Sequence, residues 1–277
     1  MDSLLFTIVC LLIGAIAGVL GGLLGIGGGV IVVPALIFLF DHTGMLADHA
    51  GPGNGTTLVA VGTSLATIIF TSAAAAVTQT RAKMVDWGIV RRFTPMVMIA
   101  SYGSGFVAAL LPLATLRASI GFFLGFVSIV MLTNWRPSPH RMLPGAGASA
   151  AIAGIAGLVS GIAGIGGGNV VVPTLVYYNV PVHRATATAS VLGFPIAIAG
   201  SLGYVTRGLG ITRISDGLLG YVYLPALLTI GLVSVLLAPA GVRMAHALQP
   251  LPLRRAFGAV LVLVSLRMLW TAFVPQS

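Results

Sequence analysis

The stretch GIGGGVIVVP, from Gly25 to Pro34, returns later in the chain as GIGGGNVVVP, from Gly164 to Pro173. The copies differ only where Val30 and Ile31 give way to Asn169 and Val170. Clustered glycines interrupt a helix, because each admits left-handed backbone angles and loses more freedom on ordering than any other residue. Yet the surroundings are strongly apolar. The 277 residues are 57% hydrophobic and only 7% charged, against about 25% charged in a soluble domain. Several apolar runs exceed the ~18 residues that mark a bilayer-spanning helix, and the strand alternation of an outer-membrane barrel is missing. The expected class is an all-α integral membrane protein. The doubled motif expects two inverted repeats, each with a glycine-broken helix or re-entrant hairpin plus three transmembrane helices.

The match extends beyond the glycines. Ser64 in VGTSLA pairs with Ser190 in ATASVL, Thr80-Arg81 with Thr206-Arg207, and Asp86 and Pro95 with Asp216 and Pro225. LRASIGFFLGFVSIVML (Leu116–Leu132) pairs with LRRAFGAVLVLVSLRML (Leu253–Leu269). The division is residues 1–135, a linker at 136–144 (RPSPHRMLP) and residues 145–277. Each half predicts an apolar helix entering its cluster (4–24; 145–163) and a short apolar stretch leaving it (30–40; 170–179). Three long segments follow: 56–80, 93–112 and 116–134, then 183–206, 218–240 and 253–274. The first half adds a polar loop, Asp41–Gly55. Leu4–Leu20 resembles a signal peptide, but the Met-Asp-Ser start has no positive charge, so it reads as a retained first segment.

Ten helical residues rise about 15 Å, half of a ~30 Å hydrocarbon core. Each cluster with its arms is therefore a re-entrant hairpin, a pair of crossings or one broken crossing. The first two give odd parity and inverted halves, the third parallel halves. Basic residues gather on the cytoplasmic side. Odd parity puts Arg81, Lys83, Arg91, Arg92, Arg136, Arg141, Arg184, Arg243, Arg254 and Arg255 on one side, and only Arg117, Arg207 and Arg213 on the other. The broken-crossing arrangement separates them less well. Inverted repeats are preferred, with both termini and the Asp41–Gly55 loop outside the cytoplasm.

Irregular backbone at membrane depth survives only where it is buried in protein or lines a polar cavity. A helix starting at Val30 or Asn169 would aim unpaired N–H groups and a partial positive charge at the cluster, a setting suited to an anion. In inverted-repeat transporters two such ends meet near the midplane. The candidate substrate-binding residues are Gly25, Gly27, Gly28, Gly29, Thr63 and Ser64 in the first half. In the second they are Gly164, Gly166, Gly167, Gly168, Asn169, Thr188 and Ser190. Asn169 could donate to an oxyanion or cap its helix, and the hydroxyls could equally bond their own helices. Arg81 and Arg207, ending equivalent helices, are candidates for the anion path or for headgroup anchoring. Gly14, Gly18 and Gly22, spaced by four, read as a packing stripe.

At this point the chain resembles the sulfite exporter TauE/SafE family of membrane permeases. The resemblance rests on the two GIGGG…VP repeats, each followed by a TS-like helix: Thr63-Ser64 in the first half, Ala189-Ser190 in the second. It implies transport of sulfur-containing anions, sulfite or organosulfonates such as sulfoacetate, across the cytoplasmic (inner) membrane.

Other classes fit less well. A net charge of +9 would suit nucleic acid in a soluble protein, but here it sets orientation, so no nucleic-acid partner is expected. Cys10 is the only cysteine, which excludes an internal disulfide or a cysteine zinc cluster. Asp41-His42 and Asp48-His49 read as an exposed glycine-rich loop; no metal and no cofactor are expected. Dinucleotide, P-loop, metalloprotease and nucleophile-elbow motifs are absent, so no enzyme is expected. The acids are Asp2, Asp41, Asp48, Asp86 and Asp216, all in loops or at segment ends, which disfavours a carboxylate proton relay. The partners expected are the anion and the lipid bilayer, with a homo-oligomer left open. An anion channel and a membrane scaffold or accessory subunit remain the alternatives.

Overall fold

The structure is a computed structural model that describes residues 3–24, 27–46, 48–133, 143–247 and 250–274. Its helices follow the expected segments closely. They are α1 (Ser3–Leu24), α2 (Gly29–Thr43), α3 (Gly55–Arg81), α4 (Trp87–Leu110), α5 (Leu113–Thr133), α6 (Ala146–Ala163), α7 (Gly168–Tyr177), α8 (Val182–Gly208), α9 (Leu224–Ala247) and α10 (Pro250–Phe273). Among the described residues, eight of these are long and apolar enough to cross a membrane; α2 and α7 are the short ones. This is an all-α, multi-pass membrane protein. The linker expected at 136–144 lies almost wholly outside the described residues.

Three boundaries differ from expectation, each for a local reason. The second long segment starts earlier, at Trp87, because the Asp86 side chain accepts from the Gly88 and Ile89 N–H groups at 3.0 and 3.2 Å. Such an N-cap satisfies donors that would otherwise be orphaned. The segment expected at 218–240 opens instead with a two-stranded hairpin, β1 (Leu218–Leu219) and β2 (Val222–Tyr223). Gly217 and Gly220, with φ of 77° and 55°, turn the chain there. The polar loop begins late, since α2 runs to Thr43 and ends at Gly44 in a left-handed C-cap.

Helix directions follow from which residues face one another. On α1, Gly14, Gly18 and Gly22 lie against Ile230, Ser234 and Ala238 of α9. That is the small-residue stripe expected from the spacing, and it shows α1 and α9 running the same way. At Gly14 an added Cβ would stand 2.9 Å from the Ile230 carbonyl oxygen. Gly154, Gly157 and Gly161 of α6 face Met96, Val97 and Ser104 of α4 in the same parallel sense. Each half's first helix thus packs on the other half's third long helix, so neither half closes a core alone.

α9 also runs with α3: the Tyr223 N–H donates to Thr63 Oγ1, and Gly231 meets Phe70. Hence α1 and α3 point the same way, and α2 runs back between them. Gly29 meets Ile68 in the middle of α3, whereas Asp41 reaches Arg117, which also holds Thr57 near the start of α3. α7 likewise begins beside Gly193 and Ile196, mid-way along α8. At 1.5 Å per residue α2 and α7 are about 22 and 15 Å long, short of a ~30 Å core. Two pairs of corresponding helices touch directly. α3 and α8 are antiparallel, Leu65 lying by Gly200 and Ser72 by Gly193. α5 and α10 are antiparallel too, Gly121 lying by Leu269 and Ser128 donating to the Gly258 carbonyl.

Candidate functional site

α3 and α8 are the most buried spans of the described residues, and the glycine breaks flank their midpoints. In the first break, Gly27 and Gly28 take φ of 64° and 31°. The Gly29 N–H folds onto the Gly27 carbonyl, and those of Ile31 and Val32 reach the Gly28 carbonyl. In the second break, Gly164 takes φ of 67° and ends α6, while Gly167 is right-handed and its carbonyl accepts from Val170 and Val171. Glycine is needed at Gly27 and Gly164, where a side chain would be held in the left-handed region.

The two breaks meet. A Cβ at Gly29 would stand 2.9 Å from the Gly164 carbonyl oxygen and 3.2 Å from Ile165 Cα. Ser64 of α3 donates to the same Gly164 carbonyl at 2.9 Å. The central helix of the first half thereby holds the break of the second. Gly166, Gly167, Gly168 and Asn169 are buried. Among the described residues, the Gly167 and Gly168 N–H groups, at the open end of α7, have no acceptor. Electrostatically this is a neutral site of donors and helix ends. The formal charges around it are distant, Arg81 and Arg207 closing α3 and α8 far from the breaks.

The other hydroxyls are engaged differently. Thr63 Oγ1 accepts from the Tyr223 N–H at 2.9 Å, and Thr188 Oγ1 from the Asp86 N–H at 3.0 Å. Each of these threonines steadies the entry to a long helix of the other half. Ser190 donates to the Thr186 carbonyl of its own helix at 2.9 Å. Asn169 is buried in the first turn of α7 and is hydrogen-bonded or otherwise engaged. Arg81 is exposed and Arg207 half-buried. Burial pushes the Tyr221 phenol above its ordinary range, and the nearby Arg207 charge pulls against that rise. Gly25 lies outside the described residues. The structure therefore brings together Gly27 to Gly29, Ser64 and Gly164 to Asn169; it leaves the two arginines at the helix ends.

Three features escaped the sequence. Ser72, buried on α3, faces Gly193 close to the start of α7. Arg117, expected only to sit on the less basic side with Arg207 and Arg213, is buried in α5; it donates to Asp41 at 2.7 Å and to Thr57 at 3.3 Å. Asp41 is thus the far anchor of α2, exposed as expected but on the last turn of that helix and not in a loop. Ser160, buried four residues before Gly164, is the third. A pairing of repeat positions could have singled out Ser160, whose counterpart is Gly21; nothing local in the sequence links Arg117 to Asp41.

A family profile described as "Sulfite exporter TauE/SafE" matches residues 10–268. The chain belongs to the sulfite exporter TauE/SafE family. A Haemophilus influenzae protein named "Probable membrane transporter protein" is 30% identical over 267 residues, covering 95% of this chain and 98% of that one. No solved structure matches. As a TauE/SafE member the protein is a multi-pass membrane transporter, and the cytoplasmic membrane expected above is the place that fits such a transporter.

Proposed function

We propose that this TauE/SafE transporter exports small sulfur-containing anions, sulfite or organosulfonates such as sulfoacetate, across the cytoplasmic membrane. The anion sits between the glycine breaks, held by N–H groups at the starts of α2 and α7, with Ser64 and Asn169 beside it. The halves, residues 1–135 and 145–277, act as inverted repeats that rock about this site, and both termini lie outside the cytoplasm. The carrying observation is the meeting of Gly29 with Gly164 and Ile165 at the middle of α3. The antiparallel runs of α3 with α8 and of α5 with α10 support the inverted arrangement. So does the return of α2 between parallel α1 and α3, which a single broken crossing would not give.

Helix N-termini favour negative charge, each by about 0.3–1 kcal/mol at exposed sites and more when partly buried. Export needs no proton relay: moving one charge down the potential yields about 2.3 kcal/mol per 100 mV, and an inside-negative potential drives an anion outward. Arg81 and Arg207 flank the mouths in this scheme and raise the local anion concentration.

The test is radiolabelled sulfite and sulfoacetate flux in proteoliposomes with the potential clamped. Saturable flux that grows with an inside-negative potential is expected. Non-saturable flux would indicate a channel. Flux indifferent to voltage yet strictly dependent on a pH gradient would reject the scheme.

A further inference from the structure

Ser160 stands apart from every other buried polar side chain in the described residues. Its hydroxyl is fully buried and has no hydrogen-bond partner. Leaving a buried polar group unsatisfied is costly, and such groups are rare without a reason. Ser160 is on the last turn of α6, where its carbonyl accepts from the Ile165 N–H at 3.0 Å as the chain turns into the second break. Its counterpart in the first half is Gly21, since both precede their GIGGG motif by four residues. A Cβ at Gly21 would stand 2.7 Å from the Gly28 amide nitrogen, at the entrance to α2. By that correspondence the Ser160 side chain would face the entrance to α7, where the Gly167 and Gly168 N–H groups lack acceptors among the described residues.

We infer that Ser160 is a substrate-contacting residue, its hydroxyl binding one oxygen of a sulfite or sulfonate group at the open N-terminus of α7. The inference rests on the anion-transport reading above and adds to it a side chain that the family motif does not include. Gly21 offers no hydroxyl, so the two breaks are unequal: the second contributes the side-chain contact, the first only backbone. A hydroxyl and backbone N–H groups without a fixed positive charge make a site for an oxyanion's oxygens. Without the anion, the unpaired hydroxyl is a defect that binding repairs.

The experiment compares wild type, Ser160→Ala, Ser160→Gly and a control, Ser119→Ala, whose exposed hydroxyl bonds its own helix. Purified proteins are titrated with sulfite and with sulfoacetate by thermal shift, and flux is measured in proteoliposomes. Ser160→Ala should melt at or above the wild-type temperature without anion. The anion concentration for a half-maximal shift, and the KM for flux, should rise about tenfold, as for one lost hydrogen bond to a charged group. Ser160→Gly should show the same loss of affinity, and Ser119→Ala neither effect. A wild type that binds saturably alongside a Ser160→Ala protein with unchanged affinity would overturn this inference alone. So would a Ser160→Ala protein that melts several degrees lower without anion, since the hydroxyl would then hold a structural bond. A wild type stabilised by no sulfur anion would overturn the transport reading, and this inference with it.

Discussion

The two glycine breaks share a motif but not a structure. The first takes two consecutive left-handed residues, Gly27 and Gly28, and feeds a helix of 15 residues. The second has Gly164 alone in that region and feeds a helix of 10. The far end of α2 is tied by an ion pair between the buried Arg117 and the exposed Asp41, whereas α7 ends at Tyr177 and turns through Asn179 at φ 63° directly into α8. Gly27 has open space where a Cβ would go; Gly164 is enclosed by Val33 and Val61. The first arm is anchored at its outer end; at its break only Gly27 has room for a side chain, while Gly28 and Gly29 lie against Ala17, Ile68 and Gly164. The second is gripped at the break, by Ser64 and those valines. The same motif has thus been built into two different turns, with room for a side chain at Gly27 in one and none at Gly164 in the other.

That contrast can be broken by substitution. The largest effect is expected at the Arg117–Asp41 pair. Asp41→Asn strands the buried Arg117 guanidinium, and leaving a buried charge unpaired costs about 3–5 kcal/mol. A loss of stability of this size on denaturation in detergent checks it, and Arg117→Met should cost less, because the exposed Asp41 stays hydrated. A negligible change in both would mean that α2 is not anchored there.

Next come the glycines themselves. Gly164→Ala forces a left-handed alanine, about 1–2 kcal/mol. Its Cβ would also stand 2.7 Å from Val33 Cγ2 and 3.0 Å from Val61 Cγ1, an overpacking cost of about 1–3 kcal/mol more. Gly27→Ala carries only the first penalty. Measured side by side, Gly164→Ala should lose more stability and more flux; equal losses would erase the difference between the breaks.

Ser64→Ala removes the hydroxyl bound to the Gly164 carbonyl and should cost about 1 kcal/mol. Ser190→Ala, whose hydroxyl bonds its own helix, should be near neutral in the same thermal-shift assay. Smallest of all is His49→Ala. The His49–Asp216 pair, 3.1 Å apart, links the first half's loop to the second half's hairpin at the surface. Exposed pairs are worth about 0–1 kcal/mol, so the melting temperature should hardly move.

Much of this was legible in the sequence, because the relevant signals are local. Apolar runs gave the helices, the glycines gave the breaks, and Gly14, Gly18 and Gly22 gave a packing stripe before its partner was known. What stayed hidden depends on contacts between distant segments. The Asp41–Arg117 pair joins residues far apart in the chain, and no periodicity announces it. The packing of α1 on α9 and of α6 on α4 follows from the exchange of helices between halves, which a pairing of repeats does not disclose. The hairpin at Leu218–Tyr223 was masked by apolar residues that read as helix. Of the residues gathered at the breaks, the glycines and Ser64 belong to the motif and could be singled out in advance. Ser160 and Ser72 were not, because their interest lies in what surrounds them.

The central claim is that the two breaks form one anion site in the middle of the molecule. Selenite, the heavier analogue of sulfite, makes it directly visible by anomalous diffraction from crystals soaked at a concentration that saturates the thermal shift. One peak per chain, between the starts of α2 and α7 and level with Ile68 and Gly193, is the predicted result. A peak at the helix ends near Arg81 or Arg207, with none between the breaks, would contradict it.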